Sequence, residues 1–216
     1  KALFIAFLFL PIALLAEWVS VSSDQPTESK WIVNEIENNE IQIDFTLPGY
    51  TMEKLKNGYN KISFPGGVSI LESGAPDLPL NAKSIIIPNL TDMKFSILES
   101  EYIEIEIEDI IPSKGNLTRN IDPNSIPYKY GNAYEKNEWY PQEIVYMRDP
   151  YIMRSKRGQT VVIQPIQYNP ILKLARIYSK IIIKVEPTES IPINPLLVTP
   201  QKSGSREFEQ MYKNHF

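Results

Sequence analysis

The chain has 216 residues, a hydrophobic fraction of 43% and a net charge of −4, which suits one domain of ordinary size with a packed core. The acidic balance and the lack of a Gly-rich phosphate loop argue against the binding of nucleic acids or nucleotides. The chain has no cysteine and one histidine, His215, which excludes a Cys–His dyad, a Cys/His zinc site and an internal Ser-His-Asp triad. We therefore expect no cofactor and no metal.

Residues 2–16 form a nearly unbroken apolar run behind Lys1, ending at the small residue Ala16. A membrane-spanning helix needs roughly 18–20 apolar residues, so this run is too short to span. Its length and flanks are typical of a secretory signal peptide over residues 1–16, with a buried core helix as the alternative. We expect an exported protein, secreted or at the cell surface, with no permanent membrane span. The polar residues 17–29 are predicted to be a leader.

The next part of the chain is predicted to be β-strands joined by tight turns. Residues 41–47 alternate between apolar and polar side chains, which is the period of a half-buried strand. Asn38-Asn39 lies before this segment and Asn57-Gly58 lies after it. Asn and Gly tolerate the left-handed backbone of tight turns, so both pairs predict hairpins.

A stiff corner is predicted in residues 66–79. Gly74 can take a positive φ at no steric cost, whereas Pro76 and Pro79 fix φ near −65°. The corner leads into an apolar strand at residues 85–87. A structural role alone would explain these residue types.

Two later segments carry opposite charges. The first alternates isoleucine with glutamate, at Ile103, Glu104, Ile105, Glu106, Ile107 and Glu108. The second places Arg176, Lys180 and Lys184 on one strand face, with Ile177, Ile181, Ile183 and Val185 on the other. We predict that the two strands are neighbours or share a sheet face, because a row of like charges needs cations nearby. Two separately solvated faces are the alternative.

A carboxylate hydrolase is a further hypothesis for the acidic strand. Pairs among Glu104, Glu106 and Asp109 could supply a general acid and a base. We rank this hypothesis last, because a solvated strand face explains the same residues.

Residues 111–137 form a long, irregular passage that is rich in Pro and Gly, and loops of this length are usually functional or mobile. Aromatic residues are dense at its end, at Tyr128, Tyr130, Tyr134, Trp139 and Tyr140. Such rings suit a protein interface, and covering the end of the core is the alternative.

A basic cluster precedes the strand that contains Thr160, and it consists of Arg148, Arg154, Lys156 and Arg157. Such clusters are usually solvated. The more specific hypothesis is that one of them enters an acidic pocket of a partner, since a guanidinium pairs with a carboxylate through two parallel hydrogen bonds.

Past Val185 the composition changes. Residues 187–204 contain four prolines and a small polar segment, and they are predicted to be a linker. Ser205 is a candidate helix cap, with Phe208, Met211 and Tyr212 at helical spacing behind it. Together, the short strands and frequent turns predict an all-β, antiparallel sandwich of two packed sheets over residues 30–186, with a short C-terminal helix start.

Two sequence blocks resemble a known family. The first is Gly74-x-Pro76-x-Leu78-Pro79, followed by an apolar strand that ends at Pro88. The second comprises Arg157, Gly158, a strand at residues 160–163, and the run Pro165, Ile166, Gln167, Tyr168, Asn169 and Pro170. In this order they resemble the propeptide domain of gingipain-type cysteine peptidases (clan CD, family C25), over residues 63–185.

The resemblance implies a β-sandwich propeptide that covers the active-site cleft of a cysteine peptidase downstream in the same precursor. It implies that residues 205–216 begin that peptidase domain, and that the chain itself is not an enzyme. One of Arg148, Arg154, Lys156 and Arg157 would enter the active site, and Lys202 or Arg206 would be the processing site. The alternative is a non-inhibitory surface β-sandwich, an adhesion module or spacer of an exported protein.

Overall fold

The structure is a computed structural model that describes residues 16–197 and 206–216. These residues form thirteen strands and one α-helix, α1 (Arg206–His215). In chain order the strands are β1 (Glu17–Ser20), β2 (Lys30–Glu35), β3 (Ile41–Thr46), β4 (Gly49–Lys54), β5 (Asn60–Ser63), β6 (Val68–Ser69), β7 (Pro79–Ile86), β8 (Met93–Glu106), β9 (Val145–Met147), β10 (Tyr151–Met153), β11 (Lys156–Ile163), β12 (Ile166–Asn169) and β13 (Leu174–Pro187). Short 3₁₀ turns lie at Glu37–Asn39, Pro123–Ser125 and Asn132–Tyr134. Of the predicted signal peptide, only Ala16 is among the described residues.

The first five-stranded sheet is organised around β13. This strand pairs along its whole length with β8 on one side, and with β12 and then β3 on the other; β2 pairs with β3. Arg176 Nε lies 2.9 Å from a Glu104 carboxylate oxygen, and Lys180 Nζ lies 2.9 Å from one of Glu99. The prediction that the acidic and basic strands are neighbours is confirmed, and the cations of β13 offset the like charges on β8.

The isoleucine row of β8 is only partly buried. Ile107 is buried, but Ile103 is 51% exposed. Among the described residues β8 pairs only with β13, so it is an edge strand. The isoleucine face is therefore not fully buried, because Ile103 lies half exposed on an edge strand.

The second five-stranded sheet is organised around β11, which pairs with β7 on one side and with β10 and β9 on the other. The short strand β6 pairs with β7. A third sheet of three strands has the order β1-β4-β5. Since β1 pairs with β4 in the register Trp18↔Thr51, residues 17–20 are part of the folded domain and not only a leader.

The predicted turns have the expected backbone. Asn38 and Asn39 have φ angles of 62° and 61°, between the antiparallel strands β2 and β3. Gly58 has φ 89° in the turn between β4 and β5, which are also antiparallel. Asn and Gly allow these left-handed conformations at low steric cost, which is why the two turns could be predicted.

The core is a cluster of buried side chains from both five-stranded sheets. Phe45 of β3 and Ile181 of β13 come from one sheet, and Val161 and Ile163 of β11 come from the other. Burial of each large apolar side chain stabilises the fold by roughly 1.5–3 kcal/mol. The all-β sandwich prediction is confirmed, with a smaller third sheet added to it.

Candidate functional site

The hairpin of β10 and β11 carries three of the four predicted basic residues. Its register pairs Met153 with Lys156 and Ile152 with Arg157, so Arg154 and Ser155 form the turn. Arg154 is exposed and has φ 53°, in the left-handed region that favours glycine. The short turn therefore presents the Arg154 side chain at the tip of the hairpin.

Helix α1 packs against this hairpin. The Arg154 guanidinium lies 3.5 Å from the centre of the Phe208 ring. The hydroxyls of Ser155 and Tyr212 are 2.8 Å apart. Because a cation over an aromatic face is held by the ring quadrupole, Arg154 already has a partner within the chain.

Gly158 provides room for the end of the helix. The Tyr151 hydroxyl lies 2.6 Å from Nε2 of His215 on α1. A Cβ at Gly158 would lie 2.6 Å from a ring carbon of Phe216 and 2.9 Å from the Tyr151 ring. Glycine at this motif position thus allows the helix terminus to approach the sheet.

Arg157 lies in the interior, with 0% exposure. Its five N–H donors bond to an Asp92 carboxylate oxygen and to the carbonyl oxygens of four other residues, which are Pro88, Thr91, Ile193 and Asn194. A side chain whose donors are all engaged inside the domain cannot enter the pocket of a partner. Burial and the full use of its donors argue against Arg157 as the plug residue and give it a structural role.

Arg148 and Lys156 are the other two basic candidates. Arg148 follows β9, and its side chain is exposed at a surface groove of about 470 Å³ that Asp92 and Ile193 also line. Its backbone is fixed, because the amide donates to the Thr160 carbonyl (2.9 Å). Lys156 is half-buried at the start of β11. Arg148 thus combines a rigid backbone with an accessible guanidinium.

The Gly74 corner anchors the long loop. Gly74 has φ 84°, its amide donates to the Ser113 carbonyl (2.9 Å), and its carbonyl accepts from the Gly131 amide (2.8 Å). A Cβ at Gly74 would lie 3.2 Å from the Gly131 nitrogen. Pro76 bridges to Pro112. The corner therefore fastens both ends of the loop to the domain.

The remaining motif residues of the corner are Leu78, which lies in the core just before β7, and Pro79. Leu78 is fully buried, and its carbonyl accepts from the Ile70 amide (2.8 Å). Pro79 begins β7.

The second motif block builds the β12–β13 turn. The buried Tyr168 hydroxyl donates to an Asp109 carboxylate oxygen (3.2 Å), and burial raises the pKa of this phenol well above its ordinary value. The Asn169 side-chain oxygen accepts from the amides of Ile171 and Leu172, both at 3.1 Å. Pro165 offers its carbonyl to the Tyr178 amide, and Pro170 follows the strand at the turn. These contacts are structural.

The aromatic residues near the loop divide into two groups. Tyr134 donates to the Ile110 carbonyl (2.7 Å), and burial raises its pKa; Tyr140 donates to a Glu72 carboxylate oxygen (3.0 Å). Tyr134 and Tyr140 pack against the core. Tyr128 and Tyr130 are more exposed, with 45% and 48% of their surface accessible. The core-cover interpretation thus fits Tyr134 and Tyr140, and the interface interpretation stays a prediction for Tyr128 and Tyr130.

Of the two candidate processing residues, only Arg206 is among the described residues. Lys202 and the predicted cap Ser205 lie outside the described residues. Arg206 is the first residue of α1, and its side chain is exposed. A peptide bond in a helix must unwind before a peptidase can take it in extended form, so the helical setting disfavours cleavage at Arg206.

Two of the three carboxylates considered for hydrolysis are held in ion pairs. Glu104 pairs with Arg176, and Asp109 pairs with Lys173. Within residues 16–197 and 206–216, no group of three or more acidic or histidine side chains could hold a metal ion. None of the helices in this part of the chain is long and apolar enough to cross a membrane.

The described residues define an all-β sandwich domain with a C-terminal helix packed on one hairpin, and comparison with known proteins identifies its family. The family model Propeptide_C25 matches residues 29–216, so the chain belongs to the C25 propeptide family. The chain is a propeptide domain of the gingipain family and is not itself an enzyme. The match includes α1.

The relatives are gingipains of Porphyromonas gingivalis. Gingipain R1 and gingipain R2 are each 38% identical over 154 residues, which cover 71% of this chain and 15% and 21% of those relatives. Lys-gingipain is 24% identical over 229 residues, covering 99% of this chain and 13% of that relative. The chain thus spans a small part of the relatives it matches.

Two solved structures share the fold. The complex of the pro- and mature domains of RgpB from Porphyromonas gingivalis matches with a TM-score of 0.76 and 32% identity, over 86% of this chain and 94% of that chain. A structure that concerns the zymogenic latency of gingipain K from the same organism matches with a TM-score of 0.67. The second match has 20% identity and covers 81% of this chain and 100% of that one, so it supports the fold alone.

Proposed function

We propose that this chain is the inhibitory and folding-assisting propeptide of a secreted gingipain-like cysteine endopeptidase in the same precursor. It occludes the active-site cleft until it is removed by proteolysis. The observation that carries the proposal is the likeness to a propeptide solved together with its mature domain. Export is supported by the apolar signal-like segment at residues 1–16.

Inhibition of this kind depends on the area of the interface between the two domains and on their covalent linkage. A stable protein interface buries roughly 1,200–2,000 Å² in total, and a β-sandwich of this size offers such a surface. While the two domains share one chain, the local concentration of the propeptide is on the order of millimolar, so modest intrinsic affinity is enough. The propeptide needs no reactive group for this task.

Three basic residues remain candidates for entry into the active site. Arg148 leads, because its guanidinium is exposed on a fixed backbone. Arg154 would first have to leave the Phe208 ring, and Lys156 is half-buried. The long loop of residues 111–137 carries further exposed basic side chains, and we add Arg119 and Lys129 to the candidates.

Two observations favour counting α1 with the propeptide rather than with the domain that follows. The family match runs to residue 216, and α1 packs on the β10–β11 hairpin through Phe208 and Tyr212. Lys202 and Arg206 stay candidate processing sites, with the helical position of Arg206 counting against it. Mass spectrometry of the matured product would identify the cleaved bond.

The test is to mix the purified chain with a mature gingipain-like peptidase and follow substrate cleavage. We expect inhibition at about micromolar propeptide or below, a complex worth roughly 8 kcal/mol. No slowing at that concentration would reject the proposal and leave the non-inhibitory surface module.

The site assignment has its own test. Alanine at the true plug residue should weaken inhibition by roughly 30-fold or more, the effect of a binding hot spot. The panel is Arg148→Ala, Arg154→Ala, Lys156→Ala, Arg119→Ala and Lys129→Ala. Lys54→Ala is the control, because Lys54 is an exposed β4 residue paired with Glu108. Unchanged inhibition across the panel would reject the basic plug and leave the function standing.

A further inference from the structure

The linker after β13 is bound to the body of the domain. The amides of Thr188 and Leu196 donate to the carbonyl oxygens of Asp92 (2.8 Å) and Asn89 (3.0 Å). The amide of Ile193 donates to the second carboxylate oxygen of Asp92 (2.9 Å). Both acceptor residues belong to the turn between β7 and β8. One turn thus holds three separate points of the linker.

The buried Arg157 side chain connects the same turn to the linker. Three of its N–H groups bond to Pro88, Thr91 and Asp92 in the turn. Its Nε donates to the Asn194 carbonyl (3.0 Å), and its Nη2 donates to the Ile193 carbonyl. Without the linker, two donors of a buried guanidinium would lose their acceptors, which is costly.

Asn194 has the conformation that this contact requires. Its φ is 50°, in the left-handed region that Asn enters more readily than most residues. Its side-chain amide donates to the Pro150 carbonyl (2.8 Å). The turn at Asn194 directs two consecutive carbonyls, of residues 193 and 194, toward one guanidinium.

We propose that Arg157 and Asp92, together with the Asn89 carbonyl, form a binding site for the chain's own linker, which we call the linker seat. Its ligand is a backbone segment that offers two consecutive carbonyls and the amide of the first. The seat keeps residues 188–196 on the propeptide and shields them from peptidases, so that maturation cleavage falls outside this segment. Only this last consequence rests on the proposed function.

The test uses the full chain, without any peptidase partner, in hydrogen exchange followed by mass spectrometry. In the unsubstituted protein, peptides that span residues 187–197 should exchange more slowly than an unstructured peptide of the same sequence. Asn194→Ala removes the Pro150 contact and the preference for positive φ without changing Arg157 or Asp92. It should speed exchange in this segment by roughly tenfold or more, the effect of losing one to two hydrogen bonds.

Two further variants complete the design. Asp92→Asn alters the acceptor side of the seat and should speed exchange in the same segment. Ile191→Ala is the matched control, because Ile191 is a linker residue with 92% exposure, and exchange should not change. Proteinase K should cut within residues 188–196 sooner in Asn194→Ala than in the control.

If the linker of the unsubstituted protein exchanged as fast as the unstructured peptide, the proposal of a linker seat would be rejected. Equal exchange in Asn194→Ala and Ile191→Ala would also overturn it. Because no gingipain-like peptidase is present, failure here leaves the inhibition proposal untouched. If the inhibition assay failed while the linker exchanged slowly, the inhibitory function would be rejected and the linker seat would stand.

Discussion

The buried ion pair of Arg157 and Asp92 gives the sharpest stability prediction. Asp92→Ala would leave a guanidinium of 0% exposure among neutral carbonyls only, without its counter-charge. Breaking a buried pair by removing one partner costs about 3–5 kcal/mol. For a chain of this size each kcal/mol lowers the melting temperature by roughly 2–4 °C, so we expect a drop of about 6–20 °C.

The assay is urea and thermal unfolding, followed by circular dichroism. Lys54→Ala is the matched control, because it removes one partner of an ion pair whose side chains are 60% and 71% exposed. Exposed pairs contribute little, and the control should unfold with an unchanged midpoint. The double variant Arg157→Met with Asp92→Ala should recover part of the loss, since no unpaired charge remains. If Asp92→Ala unfolded at the same midpoint as Lys54→Ala, the reasoning about the buried pair would be refuted.

Three further predictions concern the core, the helix and the tyrosines. Ile181→Ala should lower the free energy of unfolding by about 2–5 kcal/mol in urea titration, because its side chain is fully buried between the sheets, and a loss below about 1 kcal/mol would contradict that packing. Gly158→Ala should speed hydrogen exchange in α1 and leave exchange in β13 unchanged, because its Cβ would lie 2.6 Å from the Phe216 ring; slow exchange in α1 would contradict the docking. Burial raises the pKa values of Tyr134 and Tyr168 above the ordinary 10.0, so the unfolded chain releases their protons first, and stability should fall as pH rises above about 10. Unfolding midpoints that stayed constant through that pH range would contradict the burial of these phenols.

The charged strands show what the sequence could predict. Side chains alternate between the two faces of a strand, so spacing predicted separate charged and apolar faces for each of the two segments. Complementary charge then predicted that the strands are neighbours, and the structure pairs Arg176 with Glu104. Both steps use local periodicity and one pairwise interaction. The turns at Asn38-Asn39 and Gly58 were predictable for the same reason, because the left-handed conformation is a property of the residue itself.

Arg157 shows what could not be predicted. In the sequence Arg157 is one basic residue of a cluster with Arg154 and Lys156. Only its buried hydrogen-bond acceptors distinguish it from them. Asp92 lies 65 residues away in sequence, and the carbonyls of the linker lie beyond β13. Burial of this kind depends on contacts between distant segments, which neither spacing nor composition encodes. The one local signal is its place in an otherwise buried strand, next to Gly158.

The same limit applies to β1 and to the linker. Glu17–Ser20 is polar enough to resemble a leader, and it becomes a strand only because β4 supplies a partner. The prolines of residues 187–197 predicted a linker, and β13 ends at the first of them, Pro187. They gave no sign that Asp92 and Asn89 bind the segment.

We propose that this propeptide covers the active-site cleft of its peptidase. The most direct test is the rate at which an active-site-directed alkylating reagent labels the catalytic cysteine of a mature gingipain-like peptidase, with and without the propeptide. We predict that labelling slows in proportion to the fraction of peptidase bound, and that it recovers once the propeptide is cleaved. Labelling at the same rate in a fully formed complex would contradict the account.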